Sequence, residues 1–261
     1  MIRTVRSWLG RIYRRRLDQQ LSALPAPQHV AIVMDGNRRW ARSLGHADPS
    51  VGHRAGAAHL DDLLNWCERR RIRHVTAFVA STENLQRRPG AELDAIMQTM
   101  EALLADRAAR ADNRWQLRLS GRTDLLPDST RNAMKAAAEQ TAARGLPNQL
   151  AIAIGYGGRQ EILDAFRDYL DDHRNESLDR LAESFEADEI TRRLYQPDQP
   201  DPDLIIRTSG EVRLSNFLLW QAMGAEYYFC DSYWPGFSER DFLRALRTYG
   251  RRRASLPDPV E

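Results

Sequence analysis

Six short apolar runs recur along the chain from His29 onwards, and stretches with helical spacing of apolar residues separate them. The runs predict strands at Val30–Met34, His74–Ala80, Gln116–Ser120, Gln149–Ile154, Asp203–Arg207 and Glu226–Cys230. The intervening stretches predict helices at about Gly52–Arg71, Glu92–Arg110, Asp128–Arg144, Arg159–Asp171, Ala187–Tyr195, Asn216–Met223 and Glu239–Arg253. This alternation favours an α/β fold with a mainly parallel six-stranded sheet flanked by helices.

The first 21 residues follow a different pattern, in which apolar side chains recur at helical spacing between arginines. They predict a basic amphipathic helix over residues 1–24, and the proline-containing break at Pro25–Pro27 separates it from one domain over residues 25–261. Two interpretations of the helix stay open. It attaches to an anionic membrane surface, or it packs on the body of the protein with its arginines in solvent.

Composition narrows the class of protein. The 261 residues, 42% of them hydrophobic, suffice for a sizeable core, and no run of 18 apolar residues or secretory signal occurs, so we expect a cytoplasmic protein. The two cysteines, Cys67 and Cys230, lack the paired spacing of a zinc site. Six arginines precede the first acidic residue, Asp18, and the rest of the chain is net negative, which argues against nucleic acid as a partner.

Unusual polar segments follow four of the predicted strands. They are Asp35-Gly36-Asn37-Arg38-Arg39-Trp40, Ser81-Thr82-Glu83-Asn84, Gly155-Tyr156-Gly157-Gly158-Arg159 and the segment from Arg207 to Asn216. In a parallel sheet the carboxyl ends of the strands form one edge, where ligands bind. Arginines and exposed amides suit phosphate groups, and an aspartate among them suits a divalent cation such as Mg²⁺ that bridges it to phosphate oxygens. The segments therefore predict a metal diphosphate site, without the glycine patterns of nucleotide-binding proteins.

Five motifs in this order resemble the signature regions of the cis-prenyltransferases, the undecaprenyl diphosphate synthase family. They are Met34–Ala41, Gly52–Gly56, Ser81–Asn84, Gly155–Arg159 and Asp203–Gln221, and the resemblance covers about residues 29–250. It implies a Mg²⁺-dependent enzyme that condenses isopentenyl diphosphate with an allylic diphosphate to form a Z double bond. It also implies a homodimer and an elongated hydrophobic tunnel beside the sheet.

The resemblance assigns roles to individual residues. Asp35 would hold Mg²⁺ and act in catalysis with Asn84, and Glu226 would help to hold metal or complete the site of a neighbouring subunit. The residues implied around the allylic diphosphate are Gly36, Asn37, Arg38, Arg39 and His53. Those implied around isopentenyl diphosphate are Arg207, Arg213 and Ser215. Ser81 and Asn84 would lie between the substrates, Glu83 and Arg87 would also bind substrate, and Trp40 and Phe78 would line the apolar side.

Departures from the family pattern bear on product length. Pro49 stands where long-chain members carry a further arginine, Leu85 stands where many have tryptophan, and Arg87–Pro89 is one residue longer. Val79 falls where long-chain enzymes tend to have alanine, and a larger side chain there should stop the growing chain early. The combination is similar to short-chain Z-farnesyl diphosphate synthases, so we expect a C15 product from geranyl diphosphate. The alternative is a long-chain undecaprenyl or decaprenyl synthase.

A second alternative is a non-catalytic partner subunit of the same fold. Such subunits lose the aspartate that follows the first strand, whereas Asp35, Asn37 and Arg39 are all present here. The sequence leaves the proton acceptor open between Asp35, a water molecule and the departing diphosphate, because the Asn84 amide is not itself a base.

Overall fold

The computed structural model describes residues 15–88 and 90–255. Most of the predicted N-terminal helix, residues 1–14, lies outside this part of the chain, as does Pro89. Residues 15–21 are helical and form the described part of α1. Leu17 of this helix is fully buried, and Asp18 accepts a hydrogen bond from Arg70. The described part of α1 therefore packs on neighbouring residues, as one of the two interpretations of the helix requires.

The strands form a six-stranded sheet in the order β3-β4-β2-β1-β5-β6. Their bounds are β1 His29–Val33, β2 His74–Ser81, β3 Trp115–Ser120, β4 Asn148–Tyr156, β5 Leu204–Arg207 and β6 Glu226–Phe229. Strand β1 pairs with β5 in parallel, as do β2 with β4, β3 with β4 and β5 with β6. The predicted fold class is therefore confirmed. The tunnel stays a prediction.

The helices that accompany the sheet include three that the apolar pattern did not predict. The bounds are α2 Asn37–Ser43, α3 Ser50–Arg69, α4 Thr82–Arg87, α5 Gly90–Ala109, α6 Asp128–Ala142, α7 Gly158–Asp172, α8 Leu178–Ser184, α9 Ala187–Thr191 and α10 Glu239–Ser255. The three unpredicted helices α2, α4 and α8 have six or seven residues each. The predicted helix Asn216–Met223 is wrong, because only a 3₁₀ turn at Gln221–Gly224 forms there. None of the described helices is long and apolar enough to span a bilayer.

The chain divides into two compact units. Unit 1 contains the described residues up to Arg73, Pro202–Val212 and the described residues from Glu226 onwards, whereas unit 2 contains His74–Asp201 and Arg213–Ala225. Strands β1, β5 and β6 belong to unit 1, and β2, β3 and β4 belong to unit 2. The assignment of residues 25–261 to one domain stays a prediction.

Each unit has its own buried core. In unit 1 every residue of β1 is buried, and Trp66 of α3 contacts Phe242 of α10 with 5.8 Å between the ring centroids. Trp234 is also buried there and donates its indole N–H to the carbonyl of Gly56 at 2.7 Å. In unit 2 all but one of the residues of β4 are buried. The buried strands of these cores hold in place the strand ends at which the polar segments begin.

Candidate active site

The first polar cluster lies in unit 1, where β1 and β5 end. Val33 pairs with Arg207 in the sheet, so Asp35, two residues later, lies beside the Arg207 side chain. The Arg207 guanidinium donates two bonds to Asp35 Oδ2, from Nε at 3.0 Å and from Nη2 at 2.6 Å. The Arg207 side chain is 6% exposed and that of Asp35 is 37% exposed. Asp35 is thus held from inside by a buried cation and is open to solvent on its other side.

The backbone of Asp35 is held as firmly as its side chain. Its carbonyl oxygen accepts hydrogen bonds from Thr208 Oγ1 at 2.8 Å and from the Trp234 amide at 2.9 Å. The next residue, Gly36, has φ of +102°, a conformation that side chains rarely adopt. A Cβ at Gly36 would also lie 2.8 Å from the Tyr233 ring. The turn from β1 into α2 therefore requires glycine at this position.

Two glycines of α3 bring that helix against the start of α2. Gly52 and Gly56 lie one helical turn apart, and a Cβ on either would overlap Asn37, at its carbonyl oxygen and at Oδ1 respectively. Asn37 Nδ2 donates to the Met34 carbonyl at 3.2 Å, and its buried Oδ1 bonds to none of the described groups. His53 lies between the two glycines and is half-buried. The Gly52–Gly56 motif is thus explained by close packing around Asn37.

Arg39 is held in place although it is exposed. Its Nη2 donates to Ser209 Oγ at 2.6 Å and lies 3.9 Å from Glu211 Oε1. Its guanidinium carbon lies 5.4 Å from the centroid of the Tyr233 ring. Ser209 belongs to the polar segment predicted to form the site, but the sequence assigned neither Ser209 nor Tyr233 a role of its own, and only the pairing of Val33 with Arg207 could have placed Ser209 near α2. Arg38 is exposed and Trp40 half-buried at the start of the same helix.

Glu226 does not join this cluster. It begins β6 and pairs with Leu204, the first residue of β5, whereas Asp35 follows the carboxyl end of β1. The amino and carboxyl ends of parallel strands lie at opposite edges of a sheet, so Glu226 and Asp35 lie apart. Glu226 Oε2 instead accepts a hydrogen bond from Arg252 at 2.5 Å. Its implied role in a neighbouring subunit's site stays a prediction.

The residues around Asp35 fit a magnesium ion that binds together with its substrate. Over the described ranges, no group of three or more His, Cys, Asp or Glu side chains could hold a metal ion by itself. Mg²⁺ usually takes only one or two carboxylates, and substrate phosphates and water complete its six ligands. The half-exposed carboxylate of Asp35 offers this kind of incomplete donor set.

The second polar cluster lies in unit 2, at the carboxyl end of β2. Ser81 ends the strand and caps α4, since its hydroxyl accepts a hydrogen bond from the Asn84 amide at 3.1 Å. Burial acts to raise the pKa of Glu83, but bonds from its own backbone, Ser81, Thr82 and Asn216 outweigh it and hold this pKa below its usual value. Glu83 is therefore ionised at neutral pH. Arg87 ends α4 with an exposed side chain.

The glycine-rich segment after β4 is bonded to another residue of this protein, Asn216, at both its backbone carbonyl and its side chain. The amide of Gly158 donates to the Asn216 carbonyl at 2.7 Å, and the amide of Arg159 donates to Asn216 Oδ1 at 2.8 Å. We expected this segment to offer its amides to phosphate. These two amides are instead bonded to Asn216, a residue whose role the sequence did not indicate.

Arg213 and Ser215 lie on an irregular segment of unit 2, and both side chains are exposed. Ser215 has φ of +51°, so the chain is not helical there. Phe217 is fully buried and stacks on Phe78 of β2, with 4.7 Å between the ring centroids. Phe78 was expected to line the apolar side, and here it anchors this segment.

Val79 occupies an irregular position in β2. Its neighbours Phe78 and Ala80 pair with Ala153 and Ile154 of β4, and the register shifts between them. Val79 is the half-buried residue between two buried ones. Its side chain is therefore less enclosed than those of its neighbours.

A buried carboxylate connects three parts of unit 2. Glu161 of α7 accepts hydrogen bonds from the Tyr195 amide at 3.0 Å, from Gln221 Nε2 at 3.1 Å and from the Tyr156 hydroxyl. Burial raises the pKa of Glu161. Burial, and then the adjacent Glu161, also raise the pKa of Tyr156. The network ties the segment after Ser215 to the start of α7.

Comparison with known proteins identifies the family. The model of a prenyltransferase family, described as putative undecaprenyl diphosphate synthase, matches residues 33–256. An isoprenyl transferase from Streptomyces fradiae is 53% identical over 92% of this chain and 94% of its own length. A (2Z,6E)-farnesyl diphosphate synthase from Mycolicibacterium smegmatis is 44% identical over 93% of each chain, and one from Thermobifida fusca is 46% identical over 94% of this chain and 95% of its own. The crystal structure of lavandulyl diphosphate synthase from Lavandula x intermedia, in complex with dimethylallyl diphosphate, has a TM-score of 0.76 at 30% identity and covers 86% of this chain and 95% of that one. This chain therefore belongs to the prenyltransferase family of undecaprenyl diphosphate synthases.

Proposed function

We propose that this chain is a Mg²⁺-dependent cis-prenyltransferase that condenses isopentenyl diphosphate with geranyl diphosphate to give (2Z,6E)-farnesyl diphosphate. The observation that carries the proposal is the half-exposed Asp35 carboxylate, which the buried Arg207 holds, and which the exposed residues Arg38 and Arg39 follow in the next turn of chain. The relatives named (2Z,6E)-farnesyl diphosphate synthase, 44% and 46% identical, favour the short-chain product.

In this proposal unit 1 binds the allylic diphosphate. Bound Mg²⁺ would neutralise charge on the diphosphate and so make it a better leaving group. Arg38 and Arg39 donate hydrogen bonds to the oxygens of the diphosphate. Ser209 and Tyr233 hold the Arg39 guanidinium in place for this. Arg207 orients the Asp35 carboxylate through two hydrogen bonds, and it adds positive charge at the strand end. These fixed charges favour departure of the leaving group because they need little reorganisation as charge develops.

Arg213 and Ser215 of unit 2 bind the isopentenyl diphosphate in this proposal. The allylic carbon–oxygen bond breaks and releases diphosphate, a carbon–carbon bond forms to the isopentenyl double bond, and the adjacent carbon loses a proton to Asp35, a water molecule or the departing diphosphate. Asn84 is an amide and does not accept that proton, so its role is to orient the reacting groups. Exclusion of water lets the double bond rather than water capture the allylic carbon.

We further propose that the enzyme is a cytoplasmic homodimer that contacts membranes peripherally through the basic helix predicted from its N-terminal sequence. The six arginines before Asp18 would supply attraction to anionic lipid. Light scattering measures the dimer directly, and co-sedimentation with anionic vesicles, with and without residues 1–14, measures membrane binding.

Product analysis tests the proposed reaction. Purified enzyme with Mg²⁺, labelled isopentenyl diphosphate and geranyl diphosphate should give mainly a C15 diphosphate on chromatography. Products of C50 or longer from these substrates would show a long-chain synthase instead. Absence of any condensation with each allylic primer would remove the proposed function altogether.

Val79→Ala is expected to lengthen the products. Alanine removes two methyl groups from the half-buried position in β2, so a growing chain meets less obstruction there. The measurement is the product distribution by chromatography, with Val79→Ile as a control that keeps the β-branch, adds one methylene group and should keep the C15 product. An unchanged distribution in Val79→Ala would contradict the role of this residue in chain length.

A further inference from the structure

The segment Arg213–Leu218 has a backbone conformation that few residues adopt unaided. Ser215, Asn216 and Leu218 have φ of 51°, 63° and 47°, in the left-handed region where a side chain costs free energy. Such a conformation persists only where the surrounding structure over-determines it. The contacts that hold the segment therefore decide where the side chains of Arg213 and Ser215 lie.

Asn216 makes three of these contacts, all within unit 2. Its carbonyl accepts from the Gly158 amide at 2.7 Å, its Oδ1 accepts from the Arg159 amide at 2.8 Å, and its Nδ2 donates to Glu83 Oε1 at 3.4 Å. The first amides of a helix have no partner inside the helix, and α7 has no side-chain cap from its own N-cap residue, Gly157. Asn216 thus caps α7 from a distant part of the chain.

The glycines that begin α7 permit this approach. A Cβ at Gly157 would lie 2.8 Å from Asn216 Nδ2, and a Cβ at Gly158 would lie 2.9 Å from the Leu219 side chain. A Cβ at Gly157 would push the Asn216 amide group aside, and a Cβ at Gly158, which would also lie 3.0 Å from the Leu219 backbone nitrogen, would force the segment itself to shift. This gives the glycine-rich motif a physical role that does not involve a phosphate.

Residues that follow Asn216 anchor the segment downstream. The Phe217 ring stacks on Phe78, and Gln221 donates to the buried Glu161 at 3.1 Å. Arg213 and Ser215, by contrast, are exposed. A long exposed side chain loses entropy when it binds a ligand, and a backbone that is already fixed reduces this cost.

We infer that Asn216 is a positioning residue for isopentenyl diphosphate, acting through Ser215 and Arg213, whose backbone it fixes. The inference rests on the proposed function, in which these two residues bind that substrate. Asn216 combines the two properties the position needs. Asparagine tolerates the left-handed conformation better than most residues, and its amide supplies both an acceptor for α7 and a donor for Glu83.

Asn216→Ala tests the inference through the two Michaelis constants. Alanine disfavours the left-handed backbone and removes the bonds to Arg159 and Glu83. We expect KM for isopentenyl diphosphate to rise about 10- to 100-fold. We expect KM for the allylic substrate and kcat to change by less than about twofold, because lost binding of one substrate need not alter the chemical step.

Two conservative variants separate positioning from a loss of folding. Asn216→Gly retains access to the left-handed backbone, and Asn216→Ser retains a short capping acceptor without a charge that Glu83 would repel, so each should have a KM for isopentenyl diphosphate between those of wild type and Asn216→Ala. Asn175→Ala, on an exposed turn after α7, is the matched control and should leave both constants unchanged. Circular dichroism spectra and melting temperatures of all variants report the fold.

The outcomes distinguish this inference from the proposed function. An unchanged KM for isopentenyl diphosphate in Asn216→Ala, or an equal rise for both substrates in folded variants, would overturn the positioning role. Arg213→Ala is measured in parallel. If Arg213→Ala also leaves the KM for isopentenyl diphosphate unchanged, Arg213 does not bind this substrate, and the inference about Asn216 is wrong as well. If Arg213→Ala raises this KM and Asn216→Ala does not, only the inference about Asn216 is wrong.

Discussion

Asp35→Ala is expected to lower kcat by about 10²- to 10³-fold, the loss typical of removing one fixed electrostatic group from an active site. The carboxylate follows the end of β1 and accepts two hydrogen bonds from Arg207, and in the proposed function it joins the substrate diphosphate in holding Mg²⁺. Without it, negative charge on the leaving diphosphate is less well neutralised. The measurement is kcat at saturating substrates over a range of Mg²⁺ concentrations.

Asp35→Asn separates the loss of the metal ligand from a loss of folding. Alanine leaves the buried Arg207 guanidinium without its carboxylate, and breaking such a pair can itself destabilise the fold. Asparagine keeps an oxygen that can accept from Arg207, so this variant should fold and still lose turnover. Asp62→Asn, an exposed carboxylate on α3, is the control and should retain activity. Near wild-type kcat in a folded Asp35→Asn would contradict the metal role.

Dependence on Mg²⁺ provides an independent readout of the same residue. Wild-type enzyme should lose activity with a chelator and regain it when Mg²⁺ is restored. Because Asp35 contributes one of the few protein ligands in this proposal, Asp35→Asn should need a higher Mg²⁺ concentration for half-maximal rate. An identical Mg²⁺ requirement in the two proteins would assign the lost turnover to another cause.

The strands were predictable from sequence, and the short helices were not. Buried parallel strands read as continuous apolar runs, and the predicted bounds differ from the observed ones by at most two residues. Helix α2, by contrast, buries only Ala41, so its apolar periodicity is too weak to predict a helix from the sequence. The predicted helix Asn216–Met223 has an apolar pattern, but the stacking of Phe217 on Phe78 and the left-handed residues hold it in another conformation.

The site was predictable in its residue types but only partly in its contacts. Asp35 and Arg207 were assigned to different diphosphates, yet the register of β1 and β5 brings them into direct contact. This contact depends on which strands are neighbours and on the register in which they pair, and the apolar pattern of the sequence specifies neither. The same holds for Asn216, which reaches α7 across a separation of 57 residues. Local motifs therefore identified the chemistry, and long-range pairing decided which side chains meet.

Gly52→Ala is expected to destabilise the fold by about 2 kcal/mol, as the balance of two opposing effects. Alanine favours a helix interior by about 1 kcal/mol over glycine. The added Cβ would overlap the Asn37 carbonyl oxygen, a backbone atom that cannot rotate away, and overpacking of this kind costs about 3 kcal/mol. The clash therefore outweighs the helix propensity. Urea unfolding measures the free energy, and the melting temperature should fall by several degrees.

Gly90→Ala is the matched control, since it is also a helical glycine but is exposed and a Cβ there would meet nothing within 4 Å. Its free energy of unfolding should stay the same or increase. Gly52→Ala should also raise KM for the allylic substrate more than KM for isopentenyl diphosphate, because the residue it displaces, Asn37, begins the helix that carries Arg38 and Arg39. If Gly52→Ala were as stable as Gly90→Ala, α3 would not pack against the start of α2 as closely as the structure has it, and the packing account of the Gly52–Gly56 motif would fail.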